Sequence, residues 1–390
     1  MRSLDREVVC CQSFPVPSRR FNLSKPARRG GGARDRFIAI LVLVLIGIAA
    51  WKLSRPGHGR KKQAAPKPIP VVETSKVRVA IPAAKSSPAV QTNSIVSTPP
   101  VMPPVSGHPR DVLEAQIALV RQGISCGSLD GVIGSQTRAA LRTLQRKIGL
   151  PETGALDTNT RPALIVSTPS FTTYTVTSND LMRLQPVSRT WLGKSQQSAL
   201  DYETILELVA EKSKAHPKLI QKLNPGVSWT NVLVGTTLTV PDAEYPAPSG
   251  KAAFVRIRLG EKTLEACDAN TNLLAHFPCS IAQRVEKRPA GELHVTAIAP
   301  NPNYTFNPEI FPEVPEARTI TNKLIIQPGP NNPVGTVWIS LDLPGYGMHG
   351  TPKPEDVGRT ESHGCFRLAN WNAEYLLKLV WVGMPVFVEQ

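Results

Sequence analysis

Two histidines and a cysteine near the C-terminus are residue types that can carry out covalent catalysis. They lie in Tyr346-Gly347-Met348-His349-Gly350-Thr351 and in Ser362-His363-Gly364-Cys365-Phe366-Arg367. A nucleophilic cysteine needs a base within hydrogen-bond reach, and a neighbouring imidazolium favours its thiolate. The glycine before Cys365 permits a tight turn whose backbone N–H groups can face a developing oxyanion. These residue types and this spacing would allow Cys365 to act as a thiol nucleophile.

A zinc site is the main alternative for the same residues. His349, His363 and Cys365 could supply two nitrogen ligands and one sulfur ligand, a set that zinc accepts. No nearby carboxylate clearly completes the constellation of a metal-dependent hydrolase. Spacing alone therefore leaves the nucleophile and the metal site comparable as interpretations.

The two segments closely resemble the L,D-transpeptidase catalytic domain. In that family a His-Gly pair is followed, fourteen positions after the histidine, by a second histidine within Ser/Thr-His-Gly-Cys-apolar-Arg. Both segments fit this pattern at every position, and residues 289–292 and 332–339 are also similar to the family. Arg288 stands where the family usually has threonine. The resemblance covers about residues 251–390.

The resemblance implies a role for each residue of the motif. Cys365 is expected to be the nucleophile and His349 the base that activates it, while His363 lines the site and tunes the thiolate. Backbone amides of Gly364 and Cys365 are expected to form an oxyanion hole. Arg367 is expected to brace the turn or contact a substrate carboxylate, with a salt bridge that has no catalytic part as the alternative. The other expected supporting or substrate-binding residues are Ser362, Gly350, Thr351, Trp338 and Tyr346.

The activity that the resemblance implies is acyl transfer between the stem peptides of peptidoglycan. The Cys365 thiolate would attack the carbonyl of the third stem residue, release D-Ala and form a thioester. An amine from a neighbouring stem would then form a 3→3 cross-link, and neither a metal nor an organic cofactor is expected. With water as the acceptor, the same cysteine would make an L,D-carboxypeptidase or amidase. A non-catalytic wall-binding protein is the alternative from a different class.

The elements that position this site are predicted to be mostly β-strands. Apolar residues alternate from Val255 to Leu259, and one helix is predicted over Trp371–Leu379. The predicted fold class is a multidomain chain. Its catalytic domain is a mixed β-sheet or barrel-like sandwich, with small all-α and α+β accessory modules. Residues 299–320 contain five prolines and no clear period, which predicts a lid or a substrate wall. Further strands are predicted at Leu264–Cys267, Leu273–Phe277, Leu293–Ile298, Lys323–Gln327, Val337–Leu341 and Val386–Val388.

Residues 109–166 are predicted to form a small helical domain before the catalytic one. Two helices are expected around Leu113–Val120 and Leu141–Ile148, with Ser135 and Asp157 as N-caps. The order of helix, Asp-Gly turn, helix and Thr-Gly turn resembles the three-helix peptidoglycan-binding domain. That resemblance implies peptidoglycan as a partner.

Residues 172–242 resemble a LysM glycan-binding module of strand–helix–helix–strand type. The strands are expected at Tyr174–Val176 and Leu233–Pro241, and the first helix at Tyr202–Lys212. Residues 184–200, around Trp191, intrude between the first strand and the first helix. A purely structural spacer is the alternative for this region.

The N-terminal part of the chain differs in composition from the rest. The formal net charge of the chain is +15, and residues 1–110 contain 19 Lys+Arg against 4 Asp+Glu, so the excess lies there. The remainder is nearly neutral, which argues against a folded nucleic-acid-binding face. Residues 54–108 are rich in proline and predict an extended linker.

The apolar run at residues 37–53 predicts a membrane signal anchor that follows a cytoplasmic basic tail, residues 1–36. A cleaved signal peptide is the alternative. With an anchor the catalytic domain would lie in the periplasm, and with a cleaved signal peptide it would be secreted. Cys126, Cys267, Cys279 and Cys365 would face an oxidising compartment, but residues 267 and 279 are not expected to form a disulfide.

Overall fold

The structure is a computed structural model that describes residues 107–311, 314–360, 362 and 364–390. All of them belong to one compact unit. The predicted basic tail, the predicted anchor and all but the last two residues of the predicted linker lie outside the described residues, as does His363. Within the described part of the chain, no helix is long and apolar enough to cross a membrane.

The catalytic region is built on one mixed sheet of eight strands. Their order is β11-β10-β9-β6-β12-β3-β4-β5, with parallel pairs at β10–β11 and β3–β12. Helix α7 (Asn370–Leu379) contributes Leu376 and Leu379 to the buried core of the sheet. The strands are β3 (Phe254–Arg258), β4 (Thr263–Cys267), β5 (Leu273–Pro278), β6 (Gly291–Pro300), β9 (Val337–Leu341), β10 (Gly347–His349), β11 (Phe366–Arg367) and β12 (Pro385–Glu389).

The predicted alternation is confirmed in β3, because Val255 and Ile257 are fully buried while their neighbours are partly exposed. The turn between β4 and β5 is closed by Asp268, whose backbone N–H donates to the Asn272 carbonyl oxygen at 3.0 Å. Cys267 pairs with Leu273 at this turn, whereas Cys279 follows the far end of the hairpin. The two cysteines are therefore too far apart for a disulfide.

The region between β6 and β9 contains a second, two-stranded sheet, which the sequence pattern predicts only in part. Strand β8 (Leu324–Ile326) lies within the predicted run 323–327, but β7 (Tyr304–Phe306) lies inside the predicted loop 299–320. Strand β7 is buried, so this loop is partly a packed wall. Short 3₁₀ turns occur at Val285–Lys287, Pro315–Arg318 and Pro354–Asp356.

The N-terminal helical region contains two α-helices, α1 (Val112–Val120) and α2 (Ser135–Lys147). Ser135 is the first residue of α2, and its N-cap is Gly134 rather than Ser135 as predicted. Asp157 does bind the backbone N–H of Thr160, at 2.8 Å. The turn that follows is a single 3₁₀ turn, Arg161–Ala163, in place of the expected third helix. A turn of three residues is too short to form the hydrogen bonds between residues four positions apart that define an α-helix.

The middle module has the predicted order of strand, helix, helix and strand. Strands β1 (Phe171–Thr175) and β2 (Thr237–Pro241) pair antiparallel, and α5 (Ile205–Lys212) and α6 (Pro217–Leu223) lie between them in sequence. Two five-residue helices, α3 (Ser178–Met182) and α4 (Trp191–Ser195), precede α5. The ring of Trp191 stacks on Phe306 of β7, with centroids 4.2 Å apart. The intruding segment of this module therefore packs against the catalytic region.

Candidate active site

Strands β10 and β11 place His349 and Cys365 on the same face at one edge of the large sheet. The pairing is parallel, with Met348 beside Phe366 and His349 beside Arg367. Cys365 directly precedes Phe366, so the alternation of side chains puts Cys365 on the same side as His349. Met348 and Phe366 point the other way, into the main core. Two short strands thus bring together residues that are 16 positions apart.

A backbone carbonyl orients the imidazole of His349. Its Nδ1 lies 2.6 Å from the carbonyl oxygen of Gly350. A carbonyl can only accept, so Nδ1 carries the proton and donates it. In the neutral ring, Nε2 then holds the lone pair that can take a proton. The ring also stacks on Trp338 with centroids 5.5 Å apart, which restricts its rotation.

The turn that carries Cys365 is held by Ser362. The Ser362 hydroxyl donates to the carbonyl oxygen of Cys365 at 2.6 Å and accepts the backbone N–H of Gly364 at 3.2 Å. On the outside of the turn, Ser362 is anchored to the chain at Ile281, whose carbonyl oxygen accepts its N–H at 2.8 Å. The N–H of Gly364 is thus engaged within the turn, and it can face an oxyanion only after this bond is exchanged.

Cys365 is buried, and its Sγ lies 3.4 Å from the carbonyl oxygen of Gly345, which can accept the S–H proton. The other described cysteines lie in closely packed regions, and burial raises the pKa of each of their thiols. For Cys267 the pKa rises to about 11 and for Cys279 to about 12. Such thiols are poor nucleophiles at neutral pH.

The remaining predicted residues take different places around this centre. Trp338 and Tyr346 both border it, since Trp338 stacks on His349 and the ring of Tyr346 lies against the Cα of Gly364. The Tyr346 hydroxyl donates to the carbonyl oxygen of Lys287 at 2.9 Å. The backbone of Arg367 pairs with Ser280 in both directions, so it braces the motif through main-chain bonds.

Sequence reasoning missed Asn370, a fully buried residue at the start of α7. Its Oδ1 accepts the backbone N–H of Thr351 at 3.0 Å and that of Thr336 at 3.2 Å. A Cβ on Gly350 would lie 2.2 Å from this Oδ1, so only glycine fits there. Asn370 therefore fixes the segment that contains the acceptor for His349. A polar residue three positions after the motif, at the start of a predicted helix, was the available signal.

The predicted zinc alternative would also require His363, which lies outside the described residues. Among the residues that the structure describes, no group of three or more His, Cys, Asp or Glu side chains is arranged to hold a metal ion.

The site therefore contains a thiol and an oriented imidazole on adjacent strands of a curled, mixed sheet. These two groups are the ones that acyl transfer through a cysteine requires. Residues 252–388 match the family described as "L,D-transpeptidase catalytic domain", and residues 108–164 match "Putative peptidoglycan binding domain". The chain therefore carries an L,D-transpeptidase catalytic domain preceded by a peptidoglycan-binding domain, and it is a transpeptidase enzyme.

Curated relatives support this assignment. The chain is 25% identical over 186 residues to "Putative L,D-transpeptidase YkuD" of Bacillus licheniformis, covering 48% of this chain and 93% of the relative. It is 26% identical over 197 residues to "Probable L,D-transpeptidase YbiS" of Escherichia coli K12, covering 47% of this chain and 60% of the relative.

Two solved structures of L,D-transpeptidases are similar to part of this chain. A structure of residues 123–326 of the enzyme from Xylanimonas cellulosilytica aligns with 74% of this chain and all of its own, at 14% identity and a TM-score of 0.31. L,D-transpeptidase 3 from Mycobacterium tuberculosis aligns with 41% of this chain and 76% of its own, at 18% identity and a TM-score of 0.29.

Proposed function

We propose that Cys365 is the nucleophile of a peptidoglycan L,D-transpeptidase and that His349 is its base. The observation that carries this proposal is the hydrogen bond from His349 Nδ1 to Gly350, because it leaves Nε2 as the proton acceptor on the face that Cys365 shares. Ser362 holds the turn that carries the nucleophile. The other residues that we propose to line the site are His363, Arg367 and Thr351.

The proposed reaction has two steps. His349 Nε2 takes the thiol proton, Sγ bonds to the carbonyl carbon of the third stem residue, and the bond to the terminal D-Ala breaks. The departing amine takes the proton from His349. An amine of a second stem then attacks the thioester and gives up a proton to His349, the bond to sulfur breaks, and the proton passes from His349 to Cys365. The product is a 3→3 cross-link.

The preceding regions are proposed to bring the enzyme to its substrate. The peptidoglycan-binding domain and the LysM-like module would contact glycan strands or stem peptides. The order of β1, α5, α6 and β2 supports the LysM-like assignment. Residues 37–53 would anchor the chain in the inner membrane, residues 54–108 would serve as a spacer, and the catalytic domain would lie in the periplasm.

The test is the intact mass of the full chain after incubation with a tetrapeptide stem, with Cys365→Ala as the control. We expect a mass increase equal to the tripeptide acyl group in the wild type and none in the variant. A bound zinc ion, with neither an adduct nor released D-Ala, would show that these residues are metal ligands.

Product analysis decides the acceptor. We expect new 3→3 dimers when the enzyme acts on isolated sacculi that are then digested and analysed by mass spectrometry. Shortened stems without new dimers would assign the same cysteine to an L,D-carboxypeptidase.

A further inference from the structure

The side-chain amide of Asn370 makes four hydrogen bonds, which join the catalytic region to the middle module. Its Oδ1 binds the two backbone N–H groups described above, and its Nδ2 donates to the carbonyl oxygen of Pro330 at 3.2 Å. The second Nδ2 proton goes to Glu211 Oε1 at 3.0 Å. Two donors and two acceptors surround the amide, so its orientation is fixed.

Glu211 belongs to helix α5 of the middle module, 159 positions before Asn370. Its Oε1 also lies 3.3 Å from the hydroxyl of Tyr202, which can donate to it. The hydrogen bond to Asn370 links the module to the segment that follows the base. From Glu211 the contacts run through Asn370 to the N–H of Thr351, and the neighbouring Gly350 carbonyl orients His349.

We propose that Glu211 is a positioning residue of the active site. Through Asn370 it fixes the Gly350–Thr351 segment and thereby the carbonyl that orients His349. The middle module is then an integral part of the active enzyme. This inference rests on the proposed function of His349 as the base, and it makes the module necessary for catalysis even with soluble substrates that need no glycan binding.

The surroundings of Glu211 show that the hydrogen bond does not depend on its charge. The carboxyl forms part of a cleft of about 330 Å³. Burial, together with the nearby carboxyl groups of Glu374 and Glu207, raises the pKa of Glu211 to about 8. The other ionisable groups around the cleft are Tyr202, Lys212, Lys214, Glu244, Tyr245, Tyr375 and Lys378. An oxygen of the carboxyl accepts from Asn370 whether the group is ionised or protonated.

The first test compares Glu211→Gln, which keeps an acceptor oxygen, with Glu211→Met, which has a similar length but no strong acceptor. Both are measured in the full chain with a tetrapeptide donor and an amine acceptor. Glu244→Gln is the matched control, because Glu244 borders the same cleft and bonds Lys214 rather than Asn370.

We expect Glu211→Met to lower kcat about 10- to 100-fold with little change in KM, because a small displacement of a catalytic group costs this much. Glu211→Gln should stay within about threefold of the wild type, since a neutral acceptor keeps most of the bond. The pH profile of Cys365 alkylation by iodoacetamide should move to higher pH in Glu211→Met only. A purely structural role would lower Tm without moving this profile.

A donor–acceptor exchange keeps the test decisive if Glu211→Met does not fold. Measured above about pH 8, where Glu211 is ionised, Asn370→Asp places an oxygen against the Glu211 carboxylate and should abolish most activity. Adding Glu211→Gln restores a donor opposite that oxygen, and we expect the double variant to recover at least about tenfold. A folded double variant without recovery, or a folded Glu211→Met that matches Glu244→Gln, overturns the proposal. Loss of the Cys365 adduct in the wild type would instead contradict the proposed function itself.

Discussion

His276 should make the folded state sensitive to acid. It lies on β5, fully buried, and its Nδ1 is 3.1 Å from the hydroxyl of Thr143 on helix α2. Its Nε2 has no hydrogen-bond partner among the described residues. Burial, together with the positive charges of Arg146, Arg142 and Arg258, lowers the pKa of His276 to about 3. The imidazole is therefore held neutral between the catalytic and peptidoglycan-binding regions.

The size and sign of the effect follow from the two pKa values. The folded pKa of about 3 lies below the unfolded value of 6.5, so the unfolded state binds more protons below neutral pH. This stabilisation is fully present above pH 6.5 and is lost as the pH falls towards 3. The free energy of unfolding should fall by about 1.4 kcal/mol at about pH 5.5 and by about 2.7 kcal/mol at about pH 4.5.

The assay is urea unfolding of the full chain at about pH 7.5, 5.5 and 4.5, for the wild type and for His276→Asn. Asparagine keeps a polar atom near Thr143 but does not titrate. Carboxylates titrate in both proteins, so the quantity to compare is the difference between the two curves. The wild type should lose about 2–3 kcal/mol more than the variant by about pH 4.5. Parallel curves would refute the assignment of acid sensitivity to His276.

Three further predictions concern the active site and its wall. Gly350→Ala should destabilise the fold by about 1–3 kcal/mol and lower kcat, because its Cβ would displace Asn370; unchanged unfolding and turnover would contradict this. Trp191→Ala removes a stacked pair with Phe306 worth about 1 kcal/mol, and steady-state kinetics should show a raised donor KM. Brief iodoacetamide treatment at neutral pH, followed by peptide mapping, should label Cys365 in preference to Cys126, Cys267 and Cys279, because the pKa of each of those three thiols is raised; equal labelling of the four would refute this difference in reactivity.

The middle module shows where reasoning from sequence met its limit. Its order of strands and helices follows local patterns and is present in the structure, and the intrusion around Trp191 was also visible as a break in the pattern. What the intrusion does was not visible. Leu200, within the intruding segment, is buried in one cluster with Trp338 and Cys365. The insertion at residues 184–200, which departs from the LysM pattern, therefore packs beside the residues of the candidate active site.

The short strands β10 and β11 were missed for a related reason. Three and two residues are too few to show a period of two, and glycine and histidine have no strong preference for strands. These segments are strands because β9 supplies a hydrogen-bonding partner to β10, and β10 supplies one to β11. The prediction of a third helix in the N-terminal domain was wrong in the opposite sense. The element that follows Asp157 is a 3₁₀ turn of three residues, whose N-cap is Thr160 rather than Asp157 as predicted.

The sequence by itself identified the candidate nucleophile and base through their resemblance to a family motif. It also indicated the alternating strands and the order of the modules, because these are local features of the chain. Only the tertiary structure decided how the base is oriented and which residues hold it. The Gly350 carbonyl oxygen determines which nitrogen of His349 carries the proton, and Asn370 holds the segment that contains this carbonyl. Glu211 in turn binds Asn370, although the two residues are 159 positions apart. Hydrogen bonds over such separations depend on how buried surfaces pack, and no local pattern of residue types records that packing.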